Sequence, residues 1–178
     1  MSPDDELIER ARHGDASAWR ELYESLSGRL VLWLRTRPSG DPAQSAEDLA
    51  AESWLVAADR IADFTGSTGD FAGWLFGIAR NQALNATRRS LRRATYATAE
   101  LGDRHLVDTH ELAITGEHWV RFALGQLPAR EGEVLSAMEV AGLDASGTAE
   151  ALGISTTAVR VARHRGLARL RKLTPPGS

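Results

Sequence analysis

Apolar residues recur along this chain at intervals of three and four, the spacing of helix faces. Trp19, Leu22, Tyr23, Leu26, Leu30, Trp33 and Leu34 form one stripe. Asp15 is placed to cap that helix, which runs to about Arg37. A turn cluster follows at Pro38–Pro42. Ser45-Ala-Glu-Asp48 then reads as a capping box opening a helix that buries Leu49, Trp54, Ala57 and Ile61 and ends near Phe64. Thr65–Gly69 is a short polar loop. The next helix spans about Asp70 to Arg93, with Phe71, Trp74, Leu75, Ile78 and Ala79 on one face. Asn81, Asn85, Arg88 and Arg92 lie on another. Residues 94–113 lose the period and read as an interdomain linker. Helical spacing resumes with Trp119, Val120, Ala123, Leu124 and Leu127. Pro128 interrupts it, and a further helix with Val134, Leu135 and Met138 runs to about Val140, where Gly142 ends it. No strand alternation and no internal repeat stand out. The pattern predicts an all-α chain of two small helical domains joined by a flexible linker.

The stretch Ala149–Gly166 carries the most information. Ala149 lies four residues before Gly153 and ten before Val159, the spacing of a helix-turn-helix. Ala149 lets two helices approach, Gly153 supplies a left-handed residue at the turn, and Ile154 and Val159 return to the shared core. Ser155 is the expected cap of the second helix. In such units the second helix enters the major groove of DNA.

Charge sharpens this picture. The net charge of −3 alone argues against a generic nucleic-acid binder. Its distribution points the other way: −6 over residues 1–64, +4 over 65–96, −4 over 97–135 and +3 over 136–178. Two basic blocks suggest two DNA-facing surfaces. Acidic blocks suggest a surface for something else. Of 21 basic residues only Lys172 is lysine, a bias that a GC-rich genome explains equally well. With no cysteine there is no disulfide and no thiolate metal site. The acidic start is no signal peptide, and the longest apolar run, Leu30–Leu34, is too short to span a membrane. A cytoplasmic location without membrane insertion is expected.

Two blocks resemble the extracytoplasmic-function (ECF, group 4) sigma factors, promoter-specificity subunits of bacterial RNA polymerase. SAEDLAAESWLVAADRIADF (45–64) and GDFAGWLFGIARNQALNATRRSLRR (69–93) look like the family's region 2. LGQLPAREGEVLSAMEVAGLDASGTAEALGISTTAVRVARHRGLARL (124–170) looks like region 4. The resemblance implies region 2 over 1–93, a linker over 94–113, region 4 over 114–173 and a tail over 174–178. It also implies core RNA polymerase and promoter DNA as partners. Many family members are held inactive by an anti-sigma protein that clamps regions 2 and 4, which makes such a protein a candidate third partner.

The resemblance gives roles to side chains that otherwise read as ordinary solvated faces. Asp48, Glu52 and Asp59 share a helix face with Leu55, and by resemblance Asp48, Glu52 and Leu55 contact core polymerase. The loop with Thr65, Ser67, Thr68 and Asp70 is small and polar enough to pocket an unstacked base of the minus-ten element. Arg80, Arg88, Arg89, Arg92 and Arg93 would neutralise phosphates, and Asn81 and Asn85 read base edges or bind phosphates. Trp74 and Phe71 read as core. In the recognition helix Ser155, Thr156 and Thr157 suit a phosphate of the minus-thirty-five element. Arg160 suits a guanine edge. Val161 and His164 face outward, and Arg165, Arg169, Arg171 and Lys172 would hold the backbone. Many ECF factors have Ser-Arg-Leu where this chain has Val161-Ala162-Arg163.

The competing reading is a helix-turn-helix activator of response-regulator type, whose terminal module shares the phrase LPAREGEVL. A third is a polymerase-binding interaction protein without DNA contact. No nucleophile motif, phosphate-binding glycine loop or metal-ligand spacing suggests an enzyme or a cofactor. His13, His105, His110 and His118 are scattered, and Asp108 and Glu111 near two of them read as solvated linker.

Overall fold

Side chains that take up free amides decide where these helices begin. The structure, a computed structural model, describes residues 3–37, 44–100 and 116–173. Among them every regular element is helical. The first half contains α1 (Pro3–Arg12), α2 (Ala16–Thr36), α3 (Ala46–Arg60), a 3-10 turn at Ile61–Asp63, and α4 (Thr68–Glu100). The second contains α5 (Gly116–Gly125), α6 (Ala129–Leu135) continuing as a π-helical segment at Ser136–Val140, α7 (Ala145–Leu152) and α8 (Thr156–Leu170).

Asp15 caps α2, accepting from the amides of Ser17 at 2.8 Å and Ala18 at 3.3 Å. Ser45 and Asp48 close the expected reciprocal box at α3. A second box opens α4. The Ser67 amide and hydroxyl donate to the Asp70 carboxylate at 2.9 and 2.8 Å, and the Asp70 amide donates back to the Ser67 hydroxyl at 3.3 Å. That box starts α4 at Thr68, two residues before the position the pattern gives.

Leu22, Leu26, Leu30 and Trp33 of α2, Trp54 and Ala57 of α3, and Phe71, Leu75 and Phe76 of α4 fill the first core. Tyr23, read as part of the stripe, is exposed at its edge, with its ring tilted against Trp54 at 5.3 Å. Helix α1 was not expected. Its apolar face is only Leu7, Ile8 and Ala11, too few for a period to stand out. Ile8 and Ala11 are buried, and the Trp19 indole N–H donates to the Ala11 carbonyl at 2.9 Å. Helix α4 runs to Glu100, past the expected end at Arg93. Nothing in Ala94–Ala99 breaks a helix, and alanine favours one. Ala94 and Thr95 are exposed, so no apolar period marks this turn. The rest of the expected linker, 101–113, its two histidines, the Pro38–Pro42 turn and the tail at 174–178 lie outside the described residues.

In the second half Val134, Ala149, Leu152, Val159 and Ala162 are buried together beside Ile154. Gly153 has φ +64° and donates to the carbonyls of Ala149 and Glu150, which makes the sharp turn between α7 and α8. The helix-turn-helix forms as its spacing requires. The two halves also share one core, because Ala137, Ala141, Leu143 and Ala151 pack with the side chains of α2 and α4.

Candidate nucleic-acid interface

Helix α3 turns Asp48, Glu52, Leu55 and Asp59 to solvent on one face. Leu55 is 72% exposed, the most open large apolar side chain among the described residues. Asp48 is held by its cap: the Ser45 hydroxyl and then the Ser45 amide pull its pKa below the usual carboxylate range. Glu52 accepts from the Gln44 amide at 2.9 Å. The result is an apolar anchor inside a rim of carboxylates.

The loop before α4 leaves Thr65 exposed. Ser67 and Asp70 are occupied with each other, and hydrogen bonds from the Ser67 amide and hydroxyl lower the pKa of Asp70. An ionised Asp70 repels phosphate, so this pair shapes the loop rather than holding backbone. Further along α4, Asn81, Asn85, Arg88, Arg89 and Arg92 all reach solvent. No acid occurs from Phe71 to Ala99, so this helix carries unbalanced positive charge. Arg80 differs from the other arginines. It donates to the Glu133 carboxylate at 3.3 Å, and Arg37 donates to the same oxygen at 3.0 Å. Arg37 also lies 4.8 Å above the Trp33 ring, and burial pulls its pKa down against the upward pull of Glu133. A partner 53 residues away leaves no trace in a local pattern.

The Ser155 hydroxyl accepts from the Ala158 amide at 3.1 Å and caps α8. Thr156 is half-buried at the first turn, while Thr157, Arg160, Val161, His164 and Arg165 are exposed. Two neighbouring arginines are engaged within the domain. Arg163 pairs with Glu139 at 2.8 Å and Arg169 with Glu131 at 2.9 Å. Arg169, expected on the DNA backbone, is thus tied to α6. Arg160, Arg163, His164 and Arg171 surround a hollow of about 330 Å³ beside Met138 and Leu167.

The structure brings the two sets of candidate side chains face to face at one point. A cleft of about 690 Å³ has Phe64, Thr65 and Asp70 on one wall and Ser146, Gly147, Glu150 and Gly153–Thr156 on the other. The outer arginines of α4 do not line this cleft. Among the described residues no cluster of three or more His, Cys, Asp or Glu could hold a metal ion, and no helix is long and apolar enough to cross a membrane.

Comparison with known proteins fits this division. Residues 22–93 match the family Sigma-70 region 2, and residues 117–170 match Sigma-70, region 4. The chain is 33% identical over 173 residues to the ECF RNA polymerase sigma factor SigD of Mycobacterium tuberculosis, covering 94% of this chain and 82% of that one. Among solved structures it resembles CnrH in complex with the cytosolic domain of CnrY, with a TM-score of 0.69, 23% identity, and coverage of 99% and 100%. It also resembles the sigma factor RpoE of Bartonella quintana in complex with the anti-sigma factor NepR, with a TM-score of 0.65, 17% identity, and coverage of 89% and 98%. These likenesses favour the two-region reading over the response-regulator alternative, and the described first half is helical, unlike an α/β receiver domain.

Proposed function

The chain belongs to the ECF RNA polymerase sigma factors, and from that premise we propose how its parts divide the work on polymerase and promoter. As a sigma factor it binds core RNA polymerase and directs promoter recognition and transcription initiation. It does so in the bacterial cytoplasm and, within holoenzyme, on nucleoid DNA. The polymerase supplies the chemistry, and this chain supplies position.

In this reading residues 1–93 form the unit that docks on polymerase and opens the minus-ten element. Asp48, Glu52 and Leu55 meet the core enzyme. Thr65 and the loop shaped by Ser67 and Asp70 receive an unstacked base. Asn81, Asn85, Arg88, Arg89 and Arg92, with Arg80 once released, follow the strand. Residues 114–173 read the minus-thirty-five element through Ser155, Thr156, Thr157, Arg160, Val161, His164 and Arg165. Residues 94–113 join the two, and 174–178 form a tail. Because the Bartonella RpoE is bound to the anti-sigma factor NepR, and CnrH to the cytosolic domain of CnrY, we include an anti-sigma partner in the proposal.

The observation that carries the docking assignment is Leu55, an open leucine beside carboxylates on a face that none of the described residues covers. Electrostatic steering toward a basic partner follows from that rim. The test is co-elution of the full chain with sigma-free core polymerase. The Leu55→Asp/Glu52→Arg double variant should lose co-elution while keeping its helical circular dichroism. Undiminished co-elution removes this face from the interface.

A further inference from the structure

The far end of α4 is held differently from its beginning. Phe71, Leu75, Ile78, Ala79 and Ala86 are buried, and Ala86 is the last buried side chain described on this helix. From Leu91 to Thr95 every residue is exposed. These turns rest on their own backbone bonds and on the helix propensity of alanine rather than on burial. A helix end of that kind opens locally at little cost.

This end carries a hydroxyl behind a pair of cations. The Thr95 Oγ1 donates back along the helix to the Leu91 carbonyl at 2.9 Å. Arg92 and Arg93 stand three and two positions before Thr95. Among the described residues no other serine or threonine has cations at both of those positions.

We propose that Thr95 is a phosphorylation site for a serine/threonine kinase that selects basic substrates. Kinases choose substrates by charge pattern, and an active site with an acidic rim fits a hydroxyl reached through two arginines. Opening of the last turns presents Leu91–Thr95 as the extended segment such a cleft takes up. In the transfer the Thr95 Oγ1 bonds to the γ-phosphorus of ATP. The bond from that phosphorus to the β–γ bridging oxygen breaks, ADP leaves, and the hydroxyl proton passes to the kinase's base.

The consequence rests on the promoter reading above, which gives the arginines of α4 to DNA. Phosphothreonine carries about −1.5 to −2 charges at pH 7. Arg92 lies one turn back on the same face, where it can pair with the phosphate. Arg88, Arg89, Arg92 and Arg93 supply the positive charge of this segment, and the phosphate cancels roughly half of it. An anion near the C-terminal end of α4 also opposes the helix dipole. Phosphorylation therefore weakens the grip on promoter DNA and leaves the docking face of α3 as it was.

The test uses the full chain with ATP and, as probe, the catalytic subunit of cAMP-dependent protein kinase. Arg171 and Lys172 stand in the same register before Thr174, outside the described residues, so a Thr174→Val background is used. Mass spectrometry should place one phosphate on Thr95. Further change of Thr95→Val should abolish labelling, and Arg92→Gln/Arg93→Gln should slow it about tenfold or more. With core polymerase, the phosphorylated chain should co-elute as before but give several-fold less run-off transcript. The salt slope of promoter binding should fall by about 1 to 2. Phosphatase should restore both, and Thr95→Val should initiate normally and ignore the kinase.

No phosphate on Thr95, or labelling indifferent to loss of both arginines, overturns the site. Equal transcript and equal slope for the modified and unmodified chains overturn its role. Failure of the unmodified chain to initiate with core polymerase counts instead against the promoter reading, and the phosphate mapping still decides the site.

Discussion

Of Val161, Ala162 and Arg163 at the centre of the recognition helix, Val161 is the exposed residue. Ala162 is buried in the helix-turn-helix core, and Arg163 is tied to Glu139. Val161 is 44% exposed beside Arg160, with His164 and Arg165 one turn on. An isopropyl group in the major groove suits the C5-methyl of thymine, which distinguishes that base by apolar contact. Replacing thymines of the minus-thirty-five element by deoxyuridine should therefore weaken holoenzyme binding about threefold at one position, under 1 kcal/mol. Val161→Ala should show no such sensitivity. Equal losses for both proteins at every thymine would remove Val161 from base reading. The sequence pattern marks this position as outward but cannot separate it from Arg163, because the carboxylate that engages Arg163 is 24 residues away.

At the scale of elements, caps account for most of what was legible. Asp15, Ser45 with Asp48, and Ser155 all cap the helices their spacing indicates. The Ser67–Asp70 box escaped notice because it lies among glycines and reads as loop. It carries a prediction: Ser67→Ala should destabilise region 2 by ~1 kcal/mol, measured by urea denaturation. The pH dependence has a definite sign. The pKa values of Asp48 and Asp70 are lowered in the folded chain, so each contributes stability above its unfolded value near ~3.9 and loses it as pH falls through the folded value. Below about pH 4 the first turns of α3 and α4 should fray, seen as faster amide exchange there. Asp70→Asn should flatten that dependence for α4 alone. Helix α1 and the extension of α4 to Glu100 were hidden for another reason. The first has too few apolar positions to set a period, and the second is exposed at Ala94 and Thr95, so no buried apolar face marks it.

At the scale of the molecule, local patterns describe each half and say nothing of how they meet. Periodicity finds Phe71 and Val159 because each packs within its own unit. It cannot find Arg29 on Ala141, 112 residues apart, or Gly73 against Gly147. Those contacts turn two adaptors into one closed body, with Arg80 partnered to Glu133 and the remaining polar face of α4 open. Charge blocks in the sequence suggest two DNA-facing surfaces and a surface for something else, and the family resemblance makes that last one a docking face. The structure adds that Arg80, proposed for the first surface, pairs with Glu133 of the half proposed to carry the second. As an ECF sigma factor, this chain should convert core polymerase into a promoter-reading enzyme without another sigma factor. The direct measurement adds purified chain to sigma-free core polymerase with genomic fragments and maps transcript 5′ ends. Specific starts, preceded by a shared pair of sequence elements and lost when Arg88 and Arg92 are both changed to alanine, are the predicted result. Starts that appear only when another sigma factor is present would contradict it.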